Sequence, residues 1–127
     1  SAASDVYKRQ VVRKVNEIGG LCLAAHIDRP AYSLLVQLGF IPNDMGLQGV
    51  EISRNSLAEL EQLKLKRLSG NLPYVTNSDA HRMLEFLEGP KNKITIEEAT
   101  ISELKLALAG KDGRSWFPGY FISDLEY

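Results

Sequence analysis

The sequence predicts an α/β fold around a parallel sheet, and three observations carry that prediction. Short, mostly apolar runs at Leu21-Cys22-Leu23-Ala24-Ala25, Gly49-Val50-Glu51-Ile52-Ser53 and Pro73-Tyr74-Val75-Thr76 have the length and composition of buried strands. Stretches with apolar residues at helical spacing, opened by Ser/Thr capping signals and closed by glycine, separate and follow them. The two kinds of element alternate along the chain, which is the order of βα units around a parallel sheet.

Residues 1–10, Ser1 to Gln10, show no apolar period. Read back into codons, they match the transposase adapter used to prepare sequencing libraries. They are therefore expected to be an engineered scar, with the native reading starting at Val11 and the upstream part of the gene missing. Val11, Val12, Val15 and Ile18, opposed by Arg13, Lys14, Asn16 and Glu17, predict an amphipathic helix that stops at Gly19-Gly20. The Leu21–Ala25 strand lacks alternation, which suits burial on both faces, and it delivers His26. A short apolar stretch, Tyr32 to Leu38, and a loop with Pro42, Asn43, Asp44 and Gly46 lead to the second strand.

Ser56-Leu57-Ala58-Glu59 reads as a capping box opening a helix with Leu57, Leu60, Leu63 and Leu68 on one face, ending near Gly70. The third strand leads into Asn77-Ser78-Asp79-Ala80-His81, a weak helix over residues 82–88, and a fourth strand at Ile94-Thr95-Ile96. Thr100-Ile101-Ser102-Glu103 is a second capping box, opening a helix that runs to Gly110. Residues 115–127 show no period and receive no assignment.

Composition excludes several classes. With 44% hydrophobic and 24% charged residues, the chain is neither disordered nor collagenous. Fifteen Lys and Arg against sixteen Asp and Glu give a net charge of −1, so no basic surplus draws a long nucleic-acid track or an anionic membrane. No apolar run approaches the roughly 20 residues of a membrane span. The single cysteine, Cys22, forms no internal disulfide, and no signal peptide is visible, so the cytoplasm is the expected compartment.

Ligands of α/β folds gather at the carboxyl ends of the strands, and both histidines of this chain fall there. His26 follows the first strand, as a ligand or as a packed histidine. Asp79 and His81 are two apart, so on extended backbone both point to one side and could share an ion, with Zn, Mn or Fe suiting mixed oxygen and nitrogen donors. An Asp-x-His tripeptide also suits a surface turn, and Asp79 also suits a helix cap. Arg29 is a candidate anion contact or a solvent-exposed arginine before Pro30. Glu51, inside a strand, either supports a site residue from behind or is satisfied structurally. Cys22 reads as a small hydrophobe, and with no Gly-x-Ser-x-Gly elbow and no partner to activate Cys22, nucleophilic catalysis is not expected.

Gly19-Gly20-Leu21-Cys22-Leu23-Ala24-Ala25-His26-Ile27-Asp28-Arg29-Pro30 resembles the third motif of the PHP (polymerase and histidinol phosphatase) superfamily. Thr76-Asn77-Ser78-Asp79-Ala80-His81 is similar to that family's last metal motif, Ser-Asp-Ala-His, and Val50-Glu51-Ile52-Ser53 resembles the strand between them. The resemblance covers roughly residues 11–110 and implies a distorted seven-stranded (β/α)7 barrel of TIM-like type, of which residues 11–127 would be the carboxyl-terminal portion. It further implies up to three divalent ions (Mn, Zn or Fe), with His26, Asp79 and His81 as ligands, Asp79 and His81 on different ions and no catalytic residue beyond the ligands; Arg29, the candidate anion contact, is expected on the substrate. The ions would acidify a bridging water and hold the phosphate of a phosphorylated small molecule or nucleotide. The family's His-x-His motif and its mid-chain Glu and His ligands would precede Val11. The expected activity of the parent is phosphate-ester hydrolysis, with the truncated chain itself inactive. The rival expectations are a non-catalytic regulatory or structural PHP module attached to an ATPase or polymerase, and a metal-free flavodoxin-like binding domain.

Overall fold

Parallel strands need crossover segments between them, and the spacing of the three apolar runs allows them. In the computed structural model, which describes residues 2–29, 33, 34, 38–53 and 67–119, these runs form a parallel sheet of order β1-β2-β3. β1 is Leu23–Ala24, β2 is Gly49–Ile52 and β3 is Tyr74–Thr76. Leu23 lies opposite Gly49, and Val50, Glu51 and Ile52 lie opposite Tyr74, Val75 and Thr76. The centre of the sheet is crowded: a Cβ on Gly49 would lie 2.9 Å from the Pro73 carbonyl oxygen and 3.1 Å from Leu23 Cδ2, so only glycine lets the strands meet here. Ala24, Ile27, Ile41 and Val50 form the buried core of this layer, with Leu34, Leu47, Ile52 and Leu72 packed against it.

The first strand is shorter than expected and is not buried on both faces, since Leu23 is half-buried and Ala25 is exposed. The chain leaves the ladder because the His26 and Ile27 amides turn to the side chain and the carbonyl of Glu51, at 3.1 and 2.9 Å. The fourth expected strand does not join the parallel sheet. β4 (Lys93–Thr95) instead pairs antiparallel with β5 (Ser115–Phe117), Ile94 opposite Trp116, in a separate two-stranded sheet. The edge of β3 it would have used is occupied: Asn92 Oδ1 accepts from the Thr76 amide at 3.1 Å and Asn92 Nδ2 donates to the Thr76 carbonyl at 2.8 Å. Thr76 Oγ1 donates to the Gly119 carbonyl at 2.7 Å on the same edge. The helix expected from Ser56 lies outside the described residues up to residue 66, as do Tyr32 and most of the 32–38 stretch.

Helix α1 spans Ala2–Glu17 and so takes in the residues expected to be excluded from the fold. Once nucleated, a helix propagates cheaply through residues of adequate propensity, and here Asp5 pairs with Arg9 at 3.1 Å and Ser4 with Lys8 one turn apart. Its expected apolar face is only partly buried: Val12 is covered, whereas Val11 and Ile18 are exposed, Ile18 by 76%. Polar contacts fix the helix to the loop before β2. Arg9 reaches Asp44 at 3.0 Å, Asn16 Nδ2 donates to the Gly46 carbonyl at 2.9 Å, and Gln48 joins Asn16 Oδ1 at 2.6 Å to the Cys22 amide at 2.7 Å.

Helix α2 is Met83–Glu88, close to the expected span, and all its large apolar side chains are exposed. Helix α3 is Ile101–Ala109, begun where Thr100 Oγ1 accepts from the Glu103 amide and ended by Gly110 in left-handed conformation. Only half of the expected capping box forms. The Glu103 carboxylate reaches the Glu97 amide at 2.9 Å rather than that of Thr100, because Arg114 holds it through Nε and Nη2, both at 2.9 Å. This fork ties α3 to the turn before β5.

Two stability predictions follow from this packing. Val50 is 1% exposed at the middle of the parallel sheet, so Val50→Ala is expected to cost about 2 kcal/mol, read as a lower urea midpoint at unchanged slope. Leu84→Ala on exposed α2 should shift stability by less than about 0.5 kcal/mol in the same measurement. A third prediction concerns pH. Arg114, and after it the Glu97 amide, hold the Glu103 carboxyl below its ordinary value of 4.5. A carboxyl lowered on folding contributes stability above its ordinary value and loses it as pH falls through the lowered one. Glu103→Gln should therefore lower the denaturation midpoint near neutrality and flatten its fall below pH 4.5 relative to wild type.

Candidate functional site

Because β1, β2 and β3 are parallel, their carboxyl ends open on one side, and the polar residues that follow them meet there. After β1 come His26, Asp28 and Arg29; β2 supplies Glu51 near its end and Ser53 just beyond; after β3 come Asn77, Asp79 and His81.

Glu51 joins the three strand ends. One carboxylate oxygen, Oε1, accepts from the His26 amide at 3.1 Å, and the other, Oε2, accepts from Asn77 Nδ2 at 2.9 Å. Of the two readings open in the sequence, Glu51 is thus a hydrogen-bonded strand residue whose partners are site-bearing loops. Asn77 is held from its other side by Asn92, whose Nδ2 lies 3.4 Å from Asn77 Oδ1.

Arg29 and Asp79 meet directly, Nη1 to Oδ2 at 2.9 Å, with side chains 37% and 32% exposed. The arginine before proline is thus partly exposed and ion-paired. Arg29 Nε donates to Ser53 Oγ at 3.0 Å, and the buried Ser53 is gripped by Asp28, which accepts from its amide at 2.7 Å and from its hydroxyl at 3.3 Å. The Arg29 amide donates back to the His26 carbonyl at 3.1 Å. Arg29 is thus held by one carboxylate directly, that of Asp79, and by a second, that of Asp28, through Ser53.

His26 and Asp79 both sit in left-handed backbone, at φ 27° and 49°. Non-glycine residues adopt this region at a cost, and such positions concentrate at binding and catalytic sites. His26 Nδ1 is buried without a hydrogen-bond partner. The turn at Asp79 corrects the expectation that Asp79 and His81 project to one side from extended backbone. The Asp79 carboxylate goes to Arg29, while its carbonyl oxygen receives a hydrogen bond from His81 Nδ1 at 2.8 Å. A carbonyl only accepts, so the proton sits on Nδ1 and the lone pair on Nε2. His81 is exposed, and its amide donates to Glu85 Oε2 at 2.9 Å. The helix-cap reading of Asp79 does not hold: Arg82 stands at the start of α2, with no side-chain cap bond.

Among the described residues, no group of three or more His, Cys, Asp or Glu is gathered closely enough to hold a metal ion. Burial pushes the Cys22 thiol up, which agrees with a small hydrophobe rather than a nucleophile. Sequence reasoning passed over Asp28, Ser53 and Asn77. All three lie inside the quoted motifs, and a polar residue just beyond a strand end was the available signal.

No family model matches the chain. It is 29% identical over 123 aligned residues to the uncharacterized protein YqxK of Bacillus subtilis strain 168, an alignment covering 89% of this chain and 30% of that protein. Among solved structures it is similar to the lesion-specific endonuclease PfuEndoQ from Pyrococcus furiosus, with a TM-score of 0.66 and 22% identity, over 85% of this chain and 28% of that one. The chain therefore shares a fold with part of an enzyme and spans under a third of the length of both proteins. No helix among the described residues is long and apolar enough to cross a membrane.

The role given to Glu51 is testable. Glu51→Ala leaves the His26 amide and Asn77 side chain without their acceptor and should cost about 2 to 4 kcal/mol in chemical denaturation, whereas Glu51→Gln, which can still accept from one of them, should recover part of the loss.

Proposed function

We propose that residues 11–127 form the carboxyl-terminal portion of a PHP-type, metal-dependent phosphoesterase built on a distorted seven-stranded barrel, acting in the cytoplasm. The observation that carries this reading is the pair of strained strand-end residues. His26 has a buried ring nitrogen with no partner, and Asp79 has a carboxylate already facing a cation. An imidazole nitrogen and a carboxylate oxygen suit Mn, Zn or Fe, so the residues present fit such an ion. His81 is suited to a different ion of the cluster, since its Nδ1–H is anchored on a backbone carbonyl and Nε2 is the nitrogen with a lone pair, the arrangement usual for metal-binding histidines. The remaining ligands would come from the part of the longer protein that precedes Val11.

When bound, such ions polarise phosphate oxygens and acidify water. The chain's own residues do the positioning. Glu51 sets the His26 loop and the Asn77 loop at a fixed separation, Asp28 and Ser53 aim the Arg29 guanidinium, and Arg29 receives a phosphate oxygen of the substrate. The charge balance of this chain argued against a long nucleic acid. The shared fold with a lesion-specific endonuclease supports the opposite choice, and a nucleic-acid phosphodiester stands here beside nucleotide and small phosphate esters as substrate.

A specific observation favours a second reading. The absence of a three-ligand cluster among the described residues suits a PHP module that no longer binds metal. An intact His-x-His motif upstream favours the enzyme, and its replacement by non-ligands favours the module.

The test is a screen of the full-length protein against phosphate monoesters, nucleotides and damaged or intact oligonucleotides with Mn, Zn and Fe. Asp79→Ala and His81→Ala are expected to lower kcat by at least about 100-fold with the fold intact by circular dichroism. Unchanged turnover in both variants would remove the metal-site assignment.

A further inference from the structure

We infer that Arg29 is an exchangeable counter-ion: it neutralises Asp79 while the metal site is empty and, once a divalent cation takes that carboxylate, turns to bind the substrate's phosphate. The inference rests on the metal-site reading above and adds to it a coupling between cation loading and anion recognition.

The geometry separates two functions of one guanidinium. Its Nε is tethered to Ser53 Oγ at 3.0 Å, and Ser53 is itself immobilised by two bonds to Asp28. Its Nη1 is spent on Asp79 at 2.9 Å. Breaking the second contact leaves the first in place, so the guanidinium stays within the site with its outer nitrogens available. An Asp79 carboxylate shared with a divalent ion has less charge to offer Arg29, so the ion and the guanidinium compete for one carboxylate. Both partners of the ion pair are about one-third exposed, so the exchange needs no unfolding. A rotation of the arginine's outer torsions is enough, and such motions take picoseconds to nanoseconds at exposed positions. The consequence is an ordered site: an empty one offers less to phosphate because Asp79 offsets the arginine's charge, and a loaded one presents a guanidinium released from that carboxylate.

The test measures binding rather than turnover. Mn²⁺ is titrated calorimetrically into full-length wild type, Arg29→Gln, Arg29→Lys and Asp79→Asn, and inorganic phosphate is then titrated with and without Mn²⁺. Arg29→Gln should bind Mn²⁺ about tenfold more tightly than wild type, since the ion no longer displaces a charge-assisted hydrogen bond. Arg29→Lys, which keeps the charge, should fall between them and guards against a folding artefact. Wild type should bind phosphate at least about tenfold better with Mn²⁺ present, and Arg29→Gln should lose most of that gain. Mn²⁺ affinity within about twofold of wild type in Arg29→Gln, or a full phosphate gain without the arginine, would overturn the exchange. The underlying reading is judged separately: Asp79→Asn should weaken Mn²⁺ binding, and wild-type affinity in that variant would overturn the metal site and the exchange together.

Discussion

The two hydrogen bonds accepted by the Glu51 carboxylate are the constraint on which the site depends. Glu51 lies on the middle strand, and its oxygens reach the loops that leave the strands on either side. Each loop then carries a residue in left-handed backbone, His26 on one side and Asp79 on the other. Conformations of that kind cost about 1 to 3 kcal/mol each and persist only where neighbouring contacts fix the chain. The His26 amide is bonded to the Glu51 side chain and the Ile27 amide to the Glu51 main chain, so the strained residue is pinned at the turn itself. Around this frame the second tier, Asp28 to Ser53 to Arg29 to Asp79, closes a path from the end of β1 to the end of β3.

The parallel sheet was legible because buried parallel strands are short apolar runs, and Gly49–Ile52 and Tyr74–Thr76 match the runs read from sequence almost residue for residue. Helix α3 was legible for the same kind of local reason, a threonine at one end and a glycine at the other. What escaped was set by distant partners. Ile94 lies opposite Trp116, and nothing near residue 94 says whether its partner is parallel or antiparallel, or where in the chain it sits. Glu103 looks like half of a capping box until Arg114, eleven residues on, takes its carboxylate. The extension of α1 through residues 2–10 escaped because it buries little apolar surface: Val6 and Tyr7 are exposed, and its contacts are polar, Asp5 to Arg9 one turn apart and Arg9 to the distant Asp44.

The same division holds for the site. His26, Asp79 and His81 stand out as residue types at strand ends, and Glu51 stands out as a carboxylate in an apolar strand. Their pairing does not. An Arg and an Asp fifty residues apart contact each other because the sheet sets β1 two strands from β3, with Ser53, just beyond the middle strand, bonded to the arginine. Large apolar residues stand exposed on α1 and α2, and the chain spans 30% of YqxK and 28% of PfuEndoQ.

Asn92 gives the sheet a direction of growth. In a parallel ladder alternate residues of an edge strand turn their amide and carbonyl outward, and at Thr76 both outward groups are answered by one carboxamide. A carboxamide has the same donor and acceptor as a peptide unit, so this side chain ends the ladder as a further strand would continue it. Edges left open recruit other chains, and this one is closed by a single residue that follows β3 in sequence. Strands joining this sheet beyond Thr76 would have to evict Asn92 and the Gly119 carbonyl first, whereas β1 has no such stop among the described residues. The layer is a ladder whose rail at β3 is finished by a side chain.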